Sequence, residues 1–312
     1  MTVNAEDGWD LASGVGLTAT ETAAARAVAG RKPGALIADP FAEILVRAVG
    51  VKLFVDLVAA DLEEAESGFA LPRLVDFVAV RTAFFDGFLA AAQEVGIRQV
   101  VILGAGLDSR AYRLDWSPST TVYELDQPAV IQFKTAAMDG TRARARSTRI
   151  PIAVDLTGDW EQPLRAGGFD PELPTAWCAE GLIPYLPPGH ADAMLDTITT
   201  LSAAGSRLAA DIVTDIEGLA GQMATSRSFN ERPSTLKVDI RAGETVATST
   251  RPDLSDYLEL RGWRTESRAA PDLFELHGLP ALADSLSIYQ RIRLVTASDP
   301  VTGQSWRPTT MP

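Results

Sequence analysis

Beyond Gly96 the chain repeats one pattern. Short apolar runs alternate with helical stretches, and four of the five close on a glycine or an acid. Residues 100–103 (VVIL) run into Gly104, and 121–125 (TVYEL) into Asp126. Residues 150–154 end at Asp155, and 176–179 (AWCA) at Glu180. A fifth run covers 208–213 and contains Asp211. Runs with no polar face require cover on both sides, so the pattern predicts a parallel α/β sheet wound with helices on each face. Two further strands are expected, over 263–268 and 287–297. The stretch between them, 271–283, is too short and proline-rich to predict a helix.

In a doubly wound sheet, ligands bind beyond the carboxyl ends of the strands. The residues that close the strands are therefore the ones to inspect: the loop Gly104-Ala105-Gly106, then Asp126, Asp155, Glu180 and Asp211.

The first 95 residues read as a helical cap region. Thr18 and Glu21 have capping-box spacing ahead of an alanine-rich helix that stops near Gly30. Asp39-Pro40 opens a second helix ending at Gly50, a third follows Lys52, and Pro72 opens a long one reaching about residue 95. The apolar stripe of that helix is Leu74, Phe77, Val78, Phe84, Phe85 and Phe88. Residues 96–312 then form the ligand-binding domain. Within it, polar residues of weak periodicity at about 215–255 read as a lid insertion over the site.

Composition narrows the chemistry. With 46% hydrophobic residues, 312 residues can bury a substantial core. A formal net charge of −13 argues against a nucleic-acid partner, which calls for a basic surface. One basic stretch stands out, 141–149 (TRARARSTR). It reads as a solvated loop or as a patch for an anionic substrate or partner. Cys178 is the only cysteine and His190 and His277 the only histidines, so neither a disulfide nor a metal site is expected. No G-x-S-x-G marks a serine nucleophile. The acidic N-terminus is not a signal peptide, and no run of about 18 apolar residues predicts a membrane span. A cytoplasmic protein is the expectation.

The glycine loop lets backbone approach a ligand, and Asp126, 22 positions after Gly104, is placed to accept from both hydroxyls of a ribose. Nicotinamide and adenosylmethionine enzymes share these features. Two details separate them. Ser109 stands where a dinucleotide fold has its third glycine, and Asp155-Leu156 offers a carboxylate to an adenine amine. Arg81 interrupts the apolar stripe of the long helix. It either snorkels to water or bonds a ligand carboxylate with its fork.

The segments VGLTATETAAARA, IADPFAEILVRAVG, AVRTAFFDGF, VVILGAGLDSRAYRLDW, VYELDQPAVIQFK and AWCAEGLIPYLP span about residues 14–190. Through them the chain resembles the leucine carboxyl methyltransferase-like family, in particular its mycobacterial group. The resemblance implies the class I methyltransferase Rossmann-like fold: seven strands, the last antiparallel, behind an N-terminal helical addition. It implies S-adenosyl-L-methionine as cofactor, with Gly104, Ala105, Gly106, Asp126, Asp155 and Leu156 around it. Arg81 would meet its carboxylate and Glu180 its amino group. One departure is Ala83, where relatives are expected to carry a larger or basic residue. Known family members methylate a carboxylate, so the expected activity is O-methylation of a small carboxylate or polyketide-like acid, with a protein carboxylate as an alternative acceptor. Glu180 and Tyr185 are the candidate catalytic groups, and His190 is a weaker base. The rivals are an NAD(P)-dependent oxidoreductase on the same sheet and a non-catalytic cofactor-binding relative.

Overall fold

The computed structural model describes residues 11, 14–62, 72–187, 189–215, 253–282 and 288–298. Seven strands form one sheet in the order β3-β2-β1-β4-β5-β7-β6. They are β1 Gln99–Leu103, β2 Thr121–Asp126, β3 Thr148–Ala153, β4 Thr175–Ala179, β5 Arg207–Val213, β6 Arg264–Ala269 and β7 Ile292–Ser298. The first five are parallel, and β7 runs antiparallel between β5 and β6. This is the seven-stranded class I methyltransferase arrangement that the family resemblance implies.

Side chains alternate across a strand, so each run serves two cores. Val100 and Ile102 face one layer together with Phe85 and Phe88. Val101 and Leu103 face the other with Trp160, Trp177 and Met194. Trp177 and Cys178 are fully buried on successive positions of β4, so both faces of that strand are covered.

The helices ahead of the sheet are α1 Gly14–Ala29, α2 Ala42–Val49, α3 Lys52–Ala59 and α4 Pro72–Glu94. After β1 come α5 Arg110–Arg113, α6 Pro128–Gly140, α7 Glu161–Ala166, α8 His190–Thr200, α9 Leu254–Glu259 and α10 Ala270–Leu276. None among the described residues is long and apolar enough to cross a membrane.

Three local expectations need correction. The first helix already starts at Gly14, so Thr18 lies inside it and Thr18–Glu21 is no capping box. Packing of buried Gly16 and Thr20 extends the helix back through weak formers, and Thr20 Oγ1 donates to Leu11 O at 2.9 Å. A helix does lie between the last two strands. Pro271 falls in its first turn, where no N–H is needed, and Leu273 and Phe274 bury its inner face. The last strand begins at Ile292, after a single 3-10 turn over Ile288–Arg291.

Asp39 does organise the entry to α2, its Oδ1 accepting from the Phe41 and Ala42 amides, both at 3.1 Å, but the helix itself starts at Ala42 with Phe41 at its N-cap, so Pro40 precedes the first turn. Most of the expected lid, 216–252, lies outside the described residues.

Candidate cofactor and active site

The turn after β1 is built by glycines with left-handed backbone, Gly104 at φ 64° and Gly106 at φ 43°. A side chain at Gly104 would meet Leu182 Cδ1 at 3.0 Å, and one at Gly106 would meet Ala19 Cβ at 3.3 Å. The loop is therefore close-packed between α1 and the segment after β4. Ala105 N donates to Leu125 O at 3.0 Å, which ties the turn to the end of β2.

Asp126 closes β2 and serves the loop directly. Its Oδ2 accepts from Gly106 N at 2.6 Å and its Oδ1 from Gln127 N at 2.7 Å. Each carboxylate oxygen keeps a second lone pair for a ligand hydroxyl. Burial pushes its pKa up, against those two bonds. Asp155 is different, being exposed just past β3. Its Oδ1 accepts from Thr157 N and Oγ1, both at 2.8 Å. Its slight burial works to raise its pKa, but the Thr157 bonds outweigh it and hold the carboxyl below the ordinary range. Leu156 beside it is buried in the second core.

Arg81 reaches from α4 to the ends of two strands. Its Nε lies 3.0 Å from Glu180 Oε1 and its Nη1 3.5 Å from Asp211 Oδ2. The guanidinium also covers the Phe77 ring at 5.4 Å. It does not snorkel out, since its side chain is only 12% exposed. Nε is buried against Glu180 without hydrogen-bond alignment, while Nη1 donates to Asp211 Oδ2 at the long distance of 3.5 Å. Gly181 makes room for it: a Cβ there would stand 3.2 Å from Nη1. Asp211, inside β5 rather than at its end, accepts from Gly181 N at 2.5 Å.

The sequence reading missed most of what surrounds Glu180. Arg110 Nη1 lies 2.7 Å from Glu180 Oε2 and 2.5 Å from Asp108 Oδ2, while its Nε donates to Asp86 at 2.7 Å. Asp86 in turn takes a bidentate pair from Arg113 at 2.6 and 2.8 Å. Glu180 thus stands between two guanidiniums. Burial works to raise its pKa, and Arg110 and Arg81 together bring it below the usual value. Lys134 was also missed. It is fully buried, reaches the Ala105 and Asp108 carbonyls at 3.4 and 3.2 Å, and pairs with Glu124 at 3.0 Å. A lysine on the buried face of α6, beside Val130, Ile131 and Met138, carries the same signal that singled out Arg81.

Tyr185 sits in the 3-10 turn Ile183–Tyr185 after β4. Burial pushes its phenol up, partly opposed by the Arg81 charge. His190 opens α8 and acts on Asp155 rather than on Glu180. His277 follows α10, where burial lowers its pKa. No group of metal ligands exists among the described residues.

Asp108 offers a test of this network. Burial works to raise its pKa, but Arg110, Lys134 and Arg113 outweigh it and hold the carboxyl at about 2. A depressed carboxylate adds stability that is present above its unfolded pKa and lost as pH falls through the folded one. Asp108→Asn is therefore expected to cost roughly 2 kcal/mol at neutral pH. Urea unfolding should show the gap to wild type closing between pH 4 and pH 2, and a gap independent of pH would count against the assignment.

A model of the leucine carboxyl methyltransferase family matches residues 19–199. The chain is 51% identical over 297 residues to a Mycolicibacterium vanbaalenii protein named as a candidate S-adenosyl-L-methionine-dependent methyltransferase, covering 95% of this chain and 99% of that one. A Mycobacterium tuberculosis protein of the same description is 46% identical over 293 residues, covering 91% and 83%. Among solved structures, a candidate methyltransferase from Thermobifida fusca superposes with TM-score 0.52 at 16% identity, over 96% of this chain and 99% of that one. A DUF574 family protein from Streptomyces avermitilis gives TM-score 0.50 at 15% identity, over 90% and 97%. At such identities the likeness is one of fold.

Proposed function

The chain belongs to the leucine carboxyl methyltransferase family, and from that premise we propose that it methylates a carboxylate oxygen of a small organic acid. S-adenosyl-L-methionine is the cofactor, and when bound it supplies an electrophilic methyl group on a sulfonium. The residues present fit it: Asp126 keeps a lone pair on each carboxylate oxygen for a ribose, the turn after β1 is built on left-handed glycines, and the Arg81 guanidinium stands at the strand ends. Arg81 would bind the cofactor carboxylate, Asp126 the ribose hydroxyls, and Asp155 with Leu156 the adenine. Glu180 would meet the cofactor's ammonium group.

One observation favours a carboxylate acceptor. Every acid at the described strand ends is already committed: Asp126 to two amides, Glu180 to two arginines, Asp211 to Arg81 and an amide, and Asp155 to Thr157. None is placed as a free general base. A phenol or alcohol would need one, whereas a carboxylate is already ionised and needs only to be held in line with the methyl. Glu180 then positions rather than transfers protons. Tyr185, held by burial as a neutral phenol, is suited to donate a hydrogen bond to the acceptor.

Transfer of radiolabelled methyl to a panel of carboxylic acids and to matching phenols would test this. The expected product is a base-labile ester, formed from acids alone at a rate nearly flat from about pH 6 to about pH 9. Phenol methylation that climbs with pH would refute the reading. Thermal stabilisation by S-adenosylhomocysteine, and not by NAD or NADP, is expected in parallel.

A further inference from the structure

Apart from Arg149, the basic stretch at 141–149 takes no part in the site above. Its last arginine is not solvated, because Arg149 Nε donates to the buried Glu124 at 2.7 Å. The other three stand exposed on the loop between α6 and β3. They rim a cavity of about 520 Å³. The opposite wall is apolar and aromatic: Pro40, Phe41 and Ile44 from the start of α2, and Tyr112 from α5. We propose that this pocket is a second ligand site, which binds a small amphipathic anion: one aromatic or short acyl group carrying a phosphate or carboxylate.

Charge is the first argument. Arg142 and Arg144 form no ion pair among the described residues, although the chain carries a net charge of −13. Among the described residues Arg146 pairs with Asp115, whose side chain is 96% exposed, so that bond is weak and screened, and its Nη1 also reaches Arg113 O at 3.4 Å. Arg113 also lines the cavity but is already held bidentate by Asp86. Two guanidiniums therefore face the cavity unneutralised, and their forks match phosphate and carboxylate.

Backbone is the second argument. Arg142 adopts φ 61°, a left-handed conformation that a branched or long side chain rarely takes. The turn is clamped there by Thr141, whose Oγ1 donates to Met138 O at 2.6 Å and accepts from Ala143 N at 3.1 Å. The clamp leaves residues 142, 144 and 146 on the exposed side.

Shape is the third. Phe41 and Tyr112 pack with ring centroids 5.8 Å apart, and Ile44 is one of the few large apolar side chains left exposed among the described residues, at 39%. Apolar wall, convergent cations and volume together are those of a small-molecule pocket. None of the lining comes from the carboxyl ends of the strands, so this is not the cofactor pocket.

Phenyl phosphate titrated calorimetrically into the full chain, saturated with S-adenosylhomocysteine, provides the test. Saturable one-to-one binding is expected, with benzoate also binding. Inorganic phosphate and benzyl alcohol should each bind at least tenfold more weakly. The Arg142→Gln/Arg144→Gln variant should lose at least tenfold in phenyl phosphate affinity, with its melting temperature and adenosylhomocysteine affinity unchanged. Absence of saturable binding, displacement by adenosylhomocysteine, inorganic phosphate binding as tightly as phenyl phosphate, or an unaffected variant would each overturn the proposal.

Discussion

Replacing Arg81 by alanine is expected to weaken S-adenosylhomocysteine binding by roughly 10- to 100-fold, the range for losing a charge-assisted, bidentate contact to a carboxylate. The expectation rests on how the guanidinium is held. Only one carboxylate stands within 3.0 Å of it, the Asp211 contact is long at 3.5 Å, and Nε has no aligned acceptor. The same substitution has a second consequence. Asp211 is already raised by burial with Arg81 as its main opposing charge, so its removal leaves two buried acids facing each other, with only Arg110 near Glu180. A loss of about 3 kcal/mol in stability follows from breaking such a buried pair. Arg81→Lys separates the two effects. It keeps the charge without the fork, so it should recover stability more than affinity. Calorimetric titration beside urea unfolding reads both. If Arg81→Ala keeps its affinity within about twofold of wild type, the ligand role is wrong.

The second large effect is expected at Glu124. Its side chain and that of Lys134 are both fully buried, and Glu124 Oε2 takes Lys134 Nζ at 3.0 Å and Arg149 Nε at 2.7 Å. Glu124→Leu would leave the Lys134 ammonium in the core with only two long carbonyl contacts. The expected cost is about 3–5 kcal/mol, or on the order of 10 °C in melting temperature for a chain of this size. Arg149 can partly recover, since it also donates to Thr135 Oγ1 at 3.2 Å and lies over the Tyr112 ring at 5.6 Å. Adding Lys134→Met should then restore most of the melting temperature, because an apolar pair can replace a buried ionic one. Cofactor affinity should not return with it, because the carbonyls of Ala105 and Asp108 will have lost the lysine that holds the glycine turn from below. Scanning calorimetry on both variants, with adenosylhomocysteine titration of the double one, checks this. A single variant within about 2 °C of wild type would show that the lysine is not held by Glu124.

The strands were legible in the sequence because their signal is local. An unbroken apolar run needs no knowledge of its neighbours to be recognised, and the residue that closes it lies at its own end. Gly104, Asp126 and Glu180 were found that way, and Arg81 stood out because a charge broke a helical stripe. Lys134 broke a stripe in the same manner and was legible by the same rule. Helix ends were less so. The start of α1 and the existence of α10 depend on what the flanking residues bury, which propensity does not report.

The arrangement of charge at the site came from tertiary structure alone. Arg81, Glu180 and Asp211 come from α4, the end of β4 and the interior of β5. Nothing in the spacing along the chain says that Arg110 shares Glu180 with Arg81, or that Asp86 ties Arg110 to Arg113. Likewise the sequence marked 141–149 as basic, but only packing turned Arg149 inward to Glu124 and left Arg142 and Arg144 facing the start of α2. The sequence by itself determined the sheet, its strand-end acids and the family. The fold decided which of those acids are neutralised, and by what, because ion pairing depends on distances of a few ångströms between elements far apart in the chain.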